Sequence, residues 1–242
     1  MPIILAIETS SELASCALLL SAAAGAQSAP TLLWRESNGV RTHSQAILPM
    51  VQELLREAGL SLRDCDAIAF GAGPGSFTGV RTACGIAQGL AYGAGLPVIS
   101  LVTLEAMALA CHAASGATEV LALLDARMGE VYWGQYRYAD GAWAIVSAPA
   151  LCAPAAVAPQ SVPGLTACGN GLSAYPEALG AYAEGALTTI MPHARELAQL
   201  ALAAFARGET VDAAAAQPLY LRNKIAYTSA ERQVINAAKA SA

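Results

Sequence analysis

The order of the apolar segments constrains the fold of this 242-residue chain more than any other feature. Residues 3–9 (IILAIET) form a short aliphatic run that predicts a buried strand. The segments CALLLS and TLLWRES follow with no helical segment between them, which predicts an antiparallel meander of three strands. From Ser44 the apolar positions take helical spacing, and Gly59 supplies the stop. Pro49 inside this helix predicts a kink or a late start.

Strands and helices then alternate. DAIAFG (66–71) predicts a strand, a glycine-rich loop leads into a helix over about 78–92, and PVISL and TLEAMALACHAA predict a strand and a helix. The strands predicted at EVLALLDA and EVYWGQYRY then begin the same order of elements again. Residues 148–163, rich in Ala and Pro, predict a loop, and residues 192–208 predict a final helix. The pattern therefore predicts an α/β fold with a duplicated element order.

Composition limits the classes of protein that this chain can represent. Hydrophobic residues make up 55% and charged residues 13%, which argues against disorder. No apolar run reaches the roughly 18–20 residues of a spanning helix, so we expect no membrane contact. The N-terminus lacks the basic region of a signal peptide, and the six cysteines are scattered without a CxxC pair. Both features predict reduced thiols and a cytoplasmic protein.

The net charge of −5 argues against a protein that binds nucleic acid unaided, because phosphate neutralisation needs clustered cations. Arg222, Lys224 and Arg232 form the sole basic concentration, and we expect it to be a solvated tail. Any RNA contact is therefore expected only through a partner.

The loop GAGPGSFTGVR (71–81) allows two interpretations. It is neither a Walker A loop nor a complete GxGxxG motif, because no Gly-Lys pair follows and position 76 is serine. Gly73 and Gly75 permit either amides that hold an anion at a helix N-terminus or a tight strand-to-helix turn.

The helix after this loop carries glycines at every fourth position, namely Gly85, Gly89 and Gly93. A second row holds only small residues: Gly79, Ala83, Ala87 and Ala91. Each interior glycine costs a helix about 1 kcal/mol relative to alanine. Close backbone packing, either inside the fold or against another chain, is expected to offset that cost.

Acidic and small polar residues follow two strands that have the same apolar lead-in. These residues, with the later CGNG turn, are the candidates for a split nucleotide and Mg²⁺ cleft: Glu8, Thr9, Ser10, Gly73, Gly75, Asp125, Gly169 and Gly171. The alternative is that each residue merely ends a strand. His43 has no ligand at i+3 or i+4, so no metal site is predicted, and no GxSxG or cysteine-nucleophile motif is present.

The segments ILAIETS, HSQAILPMVQELLREAGL, DAIAFGAGPGSFTGVRTACGIAQGLA and LLDARMGEVYWG resemble the TsaB (YeaZ) family, as does PLYLR near the C-terminus. These proteins are the bacterial partner subunits in tRNA threonylcarbamoyladenosine synthesis. The resemblance implies an α/β, two-lobed actin/Hsp70-like ATPase (RNase H-like) fold. We place an N-terminal lobe at residues 1–102, carrying the partner-binding helices, and a C-terminal lobe at 103–242.

The family is related to the catalytic subunit TsaD, whose metal site uses a His-x-x-x-His pair on the first helix. His43 matches the first of these histidines and Ile47 replaces the second. The resemblance therefore implies a non-catalytic activating subunit that pairs with TsaD through the first two helices and supports the ATPase TsaE. TsaC supplies threonylcarbamoyl-AMP, and TsaD transfers the group to adenosine 37 of tRNAs that read ANN codons.

The residues expected at the partner interface lie on those two helices: His43, Ile47, Leu48, Val51, Leu54, Leu55, Phe77, Val80, Arg81, Gly85, Gly89 and Gly93. The same helices are expected to form a homodimer when no partner is present. The glycine loop would then chiefly position the second helix.

ATP or ADP with Mg²⁺ is the cofactor hypothesis for the cleft. Glu8 stands where relatives carry aspartate, which argues against strong binding. The alternative function is an ATP-binding transferase or ATPase of the actin-like class that acts on its own. A peptidase of the M22 type is a third possibility, for which the chain shows neither a nucleophile motif nor a metal pair.

Overall fold

The computed structural model describes residues 2–21, 29–37 and 43–222. Nine strands are assigned in these ranges: β1 Ile3–Glu8, β2 Ala14–Leu20, β3 Thr31–Ser37, β4 Ala67–Gly73, β5 Val98–Val102, β6 Glu119–Asp125, β7 Val131–Ala139, β8 Ala142–Cys152 and β9 Leu165–Cys168. The helices are α1 His43–Ala58, α2 Phe77–Ala94, α3 Thr103–Ser115, α4 Gly171–Ala174, α5 Pro176–Leu179 and α6 Ala194–Ala206. The predicted α/β class is confirmed.

The strands form two sheets with the same internal order. The first has the order β3-β2-β1-β4-β5, in which β1, β2 and β3 form the antiparallel meander and β4 and β5 run parallel to β1. The second has the order β8-β7-β6-β9, again with an antiparallel meander and a parallel fourth strand. The predicted repetition of element order is therefore confirmed for four strands of each sheet.

Helices cover both faces of the first sheet. On one face α1 packs against β2 and β3, and α2 packs against β4. The other face is covered by α6, while α3 packs between α6 and β6 of the second sheet. The first sheet thus consists of residues 3–102 but takes a covering helix from later in the chain, and the division at residue 102 stays a prediction.

The Ala- and Pro-rich segment differs from the prediction. Residues 148–152, expected in a loop, belong to β8, which pairs with β7. The pairing shifts register between Trp133 and Gln135, and Pro149 falls within that irregularity. Because β8 is an edge strand and an irregular one, it accommodates a proline that lacks an N–H donor.

The helices follow their predicted positions closely. α1 begins at His43 and continues through Pro49, so the expected late start is wrong. α2 ends at Ala94 and is capped by Gly95, which adopts a left-handed conformation with φ 70°. No helix within the described ranges combines the length and apolar composition that crossing a bilayer requires. Lys224 and Arg232 of the predicted basic tail lie outside the described residues.

Candidate functional site

The glycine loop between β4 and α2 lies directly on the end of β1. The Ser76 N–H donates to the Ser10 carbonyl at 2.6 Å, and the Thr9 hydroxyl donates to the Gly79 carbonyl at 2.7 Å. A Cβ added at Gly79 would lie 1.9 Å from the Thr9 carbonyl oxygen, and one at Gly75 would lie 2.5 Å from the Ser10 carbonyl oxygen. These glycines therefore allow two backbones to approach closely, as the tight-turn interpretation requires.

A cavity of about 650 Å³ lies where the ends of β1 and β6 meet the N-terminus of α2 and residues 219–222. Three of the eight predicted nucleotide-cleft residues line it, namely Ser10, Gly75 and Asp125. Phe77 and Leu219 contribute apolar walls. A space of this size and mixed polarity is typical of small-molecule sites.

The other five candidates do not line this cavity, and their predicted role at a nucleotide cleft stays a prediction. Glu8 and Thr9 are fully buried. Gly73 lies beneath the chain at Leu219, whose carbonyl oxygen would be 3.0 Å from an added Cβ. Gly169 and Gly171 pack against the backbone of Leu123 at the end of the second sheet. The small size of these three glycines allows strands and turns to pack closely. A position at the end of a strand does not tell, from sequence alone, whether a glycine serves packing or ligand binding.

Glu8 is held in the interior. One carboxylate oxygen, Oε1, accepts from the Ser10 N–H, whereas Oε2 has no hydrogen-bond partner. Oε2 packs against Gly71, where an added Cβ would lie 1.9 Å from it. Burial raises the pKa of Glu8 to about 7, against the opposing effect of the hydrogen bonds from Ser10.

Asp125 is engaged by neighbouring donors. Its Oδ1 accepts from the Arg127 N–H at 2.8 Å and from the Tyr175 hydroxyl at 3.0 Å, and its Oδ2 lies 3.2 Å from Arg127 Nη1. Its own N–H donates to Asn170 Oδ1 at 2.9 Å. The carboxylate is therefore oriented and neutralised by the protein itself.

These arrangements do not fit a Mg²⁺-nucleotide. Mg²⁺ takes carboxylate and phosphate oxygens in near-ideal octahedral geometry. The Glu8 carboxyl is buried against Gly71. Asp125 Oδ1 already accepts from the Arg127 N–H and the Tyr175 hydroxyl, and Asp125 Oδ2 lies against the Arg127 guanidinium. No group of three metal-ligating side chains occurs in residues 2–21, 29–37 and 43–222.

Two contacts cross the cleft, and sequence analysis missed both. Arg127, after β6, pairs with Glu12, after β1, at 2.6 Å. Arg222 donates to the Ala126 carbonyl at 2.9 Å and to Glu130 Oε2 at 2.6 Å, on either side of the β6–β7 turn. Its side chain is only 16% exposed, so the prediction of a solvated tail is wrong for Arg222.

The β6–β7 turn is unusual because Arg127 and Met128 both adopt left-handed backbone conformations, with φ 60° each. Non-glycine residues rarely adopt this conformation. Arg222 contacts the carbonyls of Ala126 and Arg127 and the Met128 sulfur, so it holds the turn from the side of the C-terminal segment.

The structure divides the predicted interface residues of α1 and α2 into two groups. The apolar stripe of α1, formed by Ile47, Val51, Leu54 and Leu55, is buried in the core against the first sheet. Val80 of α2 is also buried and lies beside the cavity. The α1 stripe covers the chain's own sheet, and the role of these side chains at a partner interface stays a prediction. Partly or largely exposed are Leu48, Phe77, Arg81, Gly85, Gly89 and Gly93. His43 is half-buried at the cavity, with Nε2 3.2 Å from the Glu12 carbonyl oxygen.

The two small-residue rows of α2 lie on opposite sides of the helix. Gly79, Ala83, Ala87 and Ala91 are buried in the protein. Gly85, Gly89 and Gly93 are exposed, and a Cβ added to any of them would meet no described atom within 4 Å apart from the adjoining backbone of α2 itself. Of the two kinds of packing considered, inside the fold or against another chain, the row of Gly79, Ala83, Ala87 and Ala91 shows the first. Tyr92, which sequence analysis did not single out, is 83% exposed on the same helix.

Comparison with known proteins identifies the family. The family model described as "TsaD: tRNA N6-adenosine threonylcarbamoyltransferase" matches residues 35–230. The tRNA threonylcarbamoyladenosine biosynthesis protein TsaB of Escherichia coli (strain K12) is 45% identical over 194 residues, covering 77% of this chain and 84% of that protein. TsaB of Haemophilus influenzae is 38% identical over 236 residues, covering 93% and 95%.

Two solved structures from Pseudomonas aeruginosa share the fold. YeaZ superposes with a TM-score of 0.81 at 40% identity and covers 91% of this chain and 100% of its own. An uncharacterized protein with similarity to peptidase YeaZ gives a TM-score of 0.84 at 40% identity, with coverage of 92% and 100%. With the two sheets of matching order, these similarities confirm the actin-like, RNase H-like α/β fold. The chain belongs to the TsaB (YeaZ) family.

Proposed function

We propose that this chain is a non-catalytic activating subunit in the synthesis of threonylcarbamoyladenosine at adenosine 37 of tRNAs that read ANN codons. It pairs with the catalytic subunit TsaD through the outer face of α1 and α2. The observation that carries this proposal is the exposed glycine row of α2, which has no packing partner among the described residues.

The energetics of this row favour a helical partner. Three interior glycines cost α2 about 1 kcal/mol each relative to alanine. No described atom packs over Gly85, Gly89 or Gly93, so contacts within the described part of the chain do not offset this cost. A second helix that lies along the row would approach the α2 backbone closely and bury it. Leu48 on α1, 43% exposed, and Tyr92 supply apolar surface on the same pair of helices.

The cleft supports a non-catalytic role. Ile47 occupies the position of the second histidine of the related metal site and is fully buried in the core. His43 lies beside the Glu12 carbonyl, and Asp125 is engaged by Arg127 and Tyr175. These residues serve the architecture of the cleft.

The remaining partners follow from this role. The chain supports the ATPase TsaE, contacts tRNA only within the complex and acts in the cytoplasm. Without TsaD, two copies pair through the same face, because the exposed row and Tyr92 would otherwise stay in water. The net charge of −5 is consistent with recognition of tRNA by other subunits.

Threonylcarbamoyl transfer to tRNA tests the function directly. A reconstituted mixture of TsaC, TsaD, TsaE, ATP, threonine, bicarbonate and tRNA is run complete, without this chain, and with this chain in place of TsaD. We expect multiple turnover only in the complete mixture. Transfer or ATP hydrolysis by this chain in the absence of TsaD would instead favour an enzyme that acts on its own.

Substitutions at Gly89 test the interface. Gly89→Leu should abolish association with TsaD, whereas Gly89→Ala should retain it, because only the larger side chain keeps two helices apart. Ala203→Leu, on the exposed face of α6, is the matched control on a helix outside the proposed interface. Size-exclusion chromatography with light scattering measures association, and circular dichroism verifies folding. A Gly89→Leu chain that still forms the complex would remove this interface.

A further inference from the structure

Arg81, one turn before Gly85 on α2, contacts two neighbouring aromatic rings. Its guanidinium carbon lies 3.7 Å from the centroid of the Phe77 ring and 5.4 Å from that of Tyr220. Its Nε donates to the Tyr220 hydroxyl at 2.7 Å. The two ring centroids are 5.9 Å apart. Stacking and the hydrogen bond together give this exposed cation one defined orientation.

Tyr220 is itself fixed by its backbone. The neighbouring Leu219 N–H donates to the Ala72 carbonyl at 2.8 Å, and Arg222 binds the β6–β7 turn two residues later. Tyr220 therefore belongs to an anchored segment, and its ring, 47% exposed, is held in place beside the Arg81 guanidinium.

Arg81 differs from most other arginines of the described chain in lacking an acidic partner. Six arginines lie within 4.0 Å of a Glu or Asp oxygen: Arg35, Arg127, Arg137, Arg195, Arg207 and Arg222. Arg81 makes no such pair with a described residue, and Nε is its only atom with a described hydrogen-bond partner. Both terminal nitrogens of this oriented guanidinium are therefore without a partner among the residues that the structure describes.

We propose that Arg81, held by Phe77 and Tyr220, binds a carboxylate of an Asp or Glu side chain on the protein that docks on α2. The inference rests on the proposed function, since that protein is TsaD. A planar guanidinium whose two terminal NH2 groups have no partner among the described residues matches a carboxylate in a bidentate pair. Arginine and tyrosine are also the residue types in which interface hot spots are enriched.

The position of Arg81 supports this partner. Arg81, Gly85 and Gly89 follow one another at intervals of four residues, so they share one face of α2. A partner helix that lies along the glycine row therefore reaches Arg81 at the N-terminal end of that face.

The charge around Arg81 favours a protein carboxylate over an RNA phosphate. Nucleic-acid binding rests on several cations that act together. Most described arginines are already paired with acidic residues, and the chain carries a net charge of −5. One oriented cation on an acidic protein suits a single carboxylate.

The test is the dissociation constant for purified TsaD, measured by calorimetry on the full-length chain and its variants. Arg81→Glu should weaken binding by about 30-fold or more, because two carboxylates would then face each other. Arg81→Lys keeps the charge but not the planar fork, and about a tenfold loss is expected. Tyr220→Phe removes only the hydroxyl that orients Nε, and a loss of about threefold is expected.

Arg63→Glu is the matched control, since Arg63 is exposed and also lacks an ion pair with described residues. It should change the dissociation constant by less than about twofold. A charge-exchange series then pairs Arg81→Glu with TsaD variants in which single acidic surface residues are replaced by lysine. One such variant should restore binding to Arg81→Glu and weaken binding to the unmodified chain.

The outcomes separate this inference from the proposed function. If the unmodified chain binds TsaD and Arg81→Glu binds equally well, the carboxylate pairing is wrong and the function stands. If Arg81→Glu binds TsaD normally but weakens binding of tRNA to the complex, Arg81 contacts phosphate and the inference is overturned. If the unmodified chain does not bind TsaD, the proposed function fails, and the inference fails with it.

Discussion

His193 at the start of α6 should make the stability of this protein depend on pH in a defined direction. The residue is 4% exposed, and its Nδ1 accepts from the Arg195 N–H at 3.0 Å, which caps the helix. Nε2 therefore carries the proton and donates to Glu36 Oε2 at 3.1 Å. Burial, aided by the charge of Arg195, lowers the pKa of His193 to about 4, against the opposing effect of Glu36.

The sign follows from proton binding in the two states. Between pH 6.5 and about 4, the unfolded chain binds a proton at His193 that the folded chain does not bind. The free energy of unfolding therefore falls as the pH falls through this range. At about 1.4 kcal/mol per pH unit, the difference between a pKa of 6.5 and one of about 4 corresponds to about 3 kcal/mol.

His193→Asn isolates this contribution. Asparagine is a favourable N-cap, and its side-chain oxygen can accept the same hydrogen bond without titrating. Urea unfolding of both proteins at pH 7.5, 6.5, 5.5 and 4.5 should show the unmodified chain losing about 2–3 kcal/mol more than the variant by pH 4.5. The melting temperatures should diverge by roughly 5–10 °C over the same range.

Two controls make the result specific. The raised pKa values of Glu8 and Glu105, which have no described contact with His193, affect both proteins equally and cancel in the difference. His193→Ala removes the cap as well, so it should be less stable than His193→Asn by about 1 kcal/mol at every pH. Parallel pH profiles for the unmodified chain and His193→Asn would refute the reasoning. A relative gain in stability of the unmodified chain at low pH would show that Glu36 dominates.

Substitutions at four further positions have defined outcomes. Gly79→Ala should lower the free energy of unfolding by about 3 kcal/mol or more, because its Cβ would overlap the Thr9 carbonyl. Gly85→Ala should raise the free energy of unfolding by about 0.5–1 kcal/mol, because alanine favours the helix and its Cβ has space. Urea unfolding measures both changes, and equal effects would contradict the described packing. Arg222→Ala should increase amide hydrogen exchange in the β6–β7 turn, and Arg222→Lys should not restore full protection, because one ammonium cannot reproduce the several contacts of the guanidinium. Gln135→Ala should cost about 2–3 kcal/mol, since this fully buried amide donates to and accepts from the backbone of the segment after β8; a loss below about 0.5 kcal/mol would contradict that role.

The elements of this fold were predictable because their signals are local. A continuous apolar run such as residues 3–9, a stripe with helical spacing and a glycine stop each depend on neighbours within one or two turns of chain. The antiparallel meander and the repeated element order followed from the same patterns. β8 was missed at residues 148–152, because an irregular edge strand tolerates the Ala and Pro that otherwise indicate a loop.

The site was predictable only in part, because its contacts join residues far apart in the chain. The sequence placed the cleft candidates at strand ends, but Glu8 and Asp125 differ in burial and partners for reasons that only packing determines. It also indicated a small-residue helix, but not which of the two rows is exposed.

By itself, then, the sequence determined the succession of strands and helices, the small-residue surface of α2 and the resemblance to a family. The tertiary structure decided that the apolar stripe of α1 covers the chain's own sheet and that Tyr220 orients Arg81 across 139 residues. It also decided that Arg222 holds the β6–β7 turn. The physical reason is that periodicity reports which face of an element is apolar, whereas sheet topology decides which distant residue that face meets.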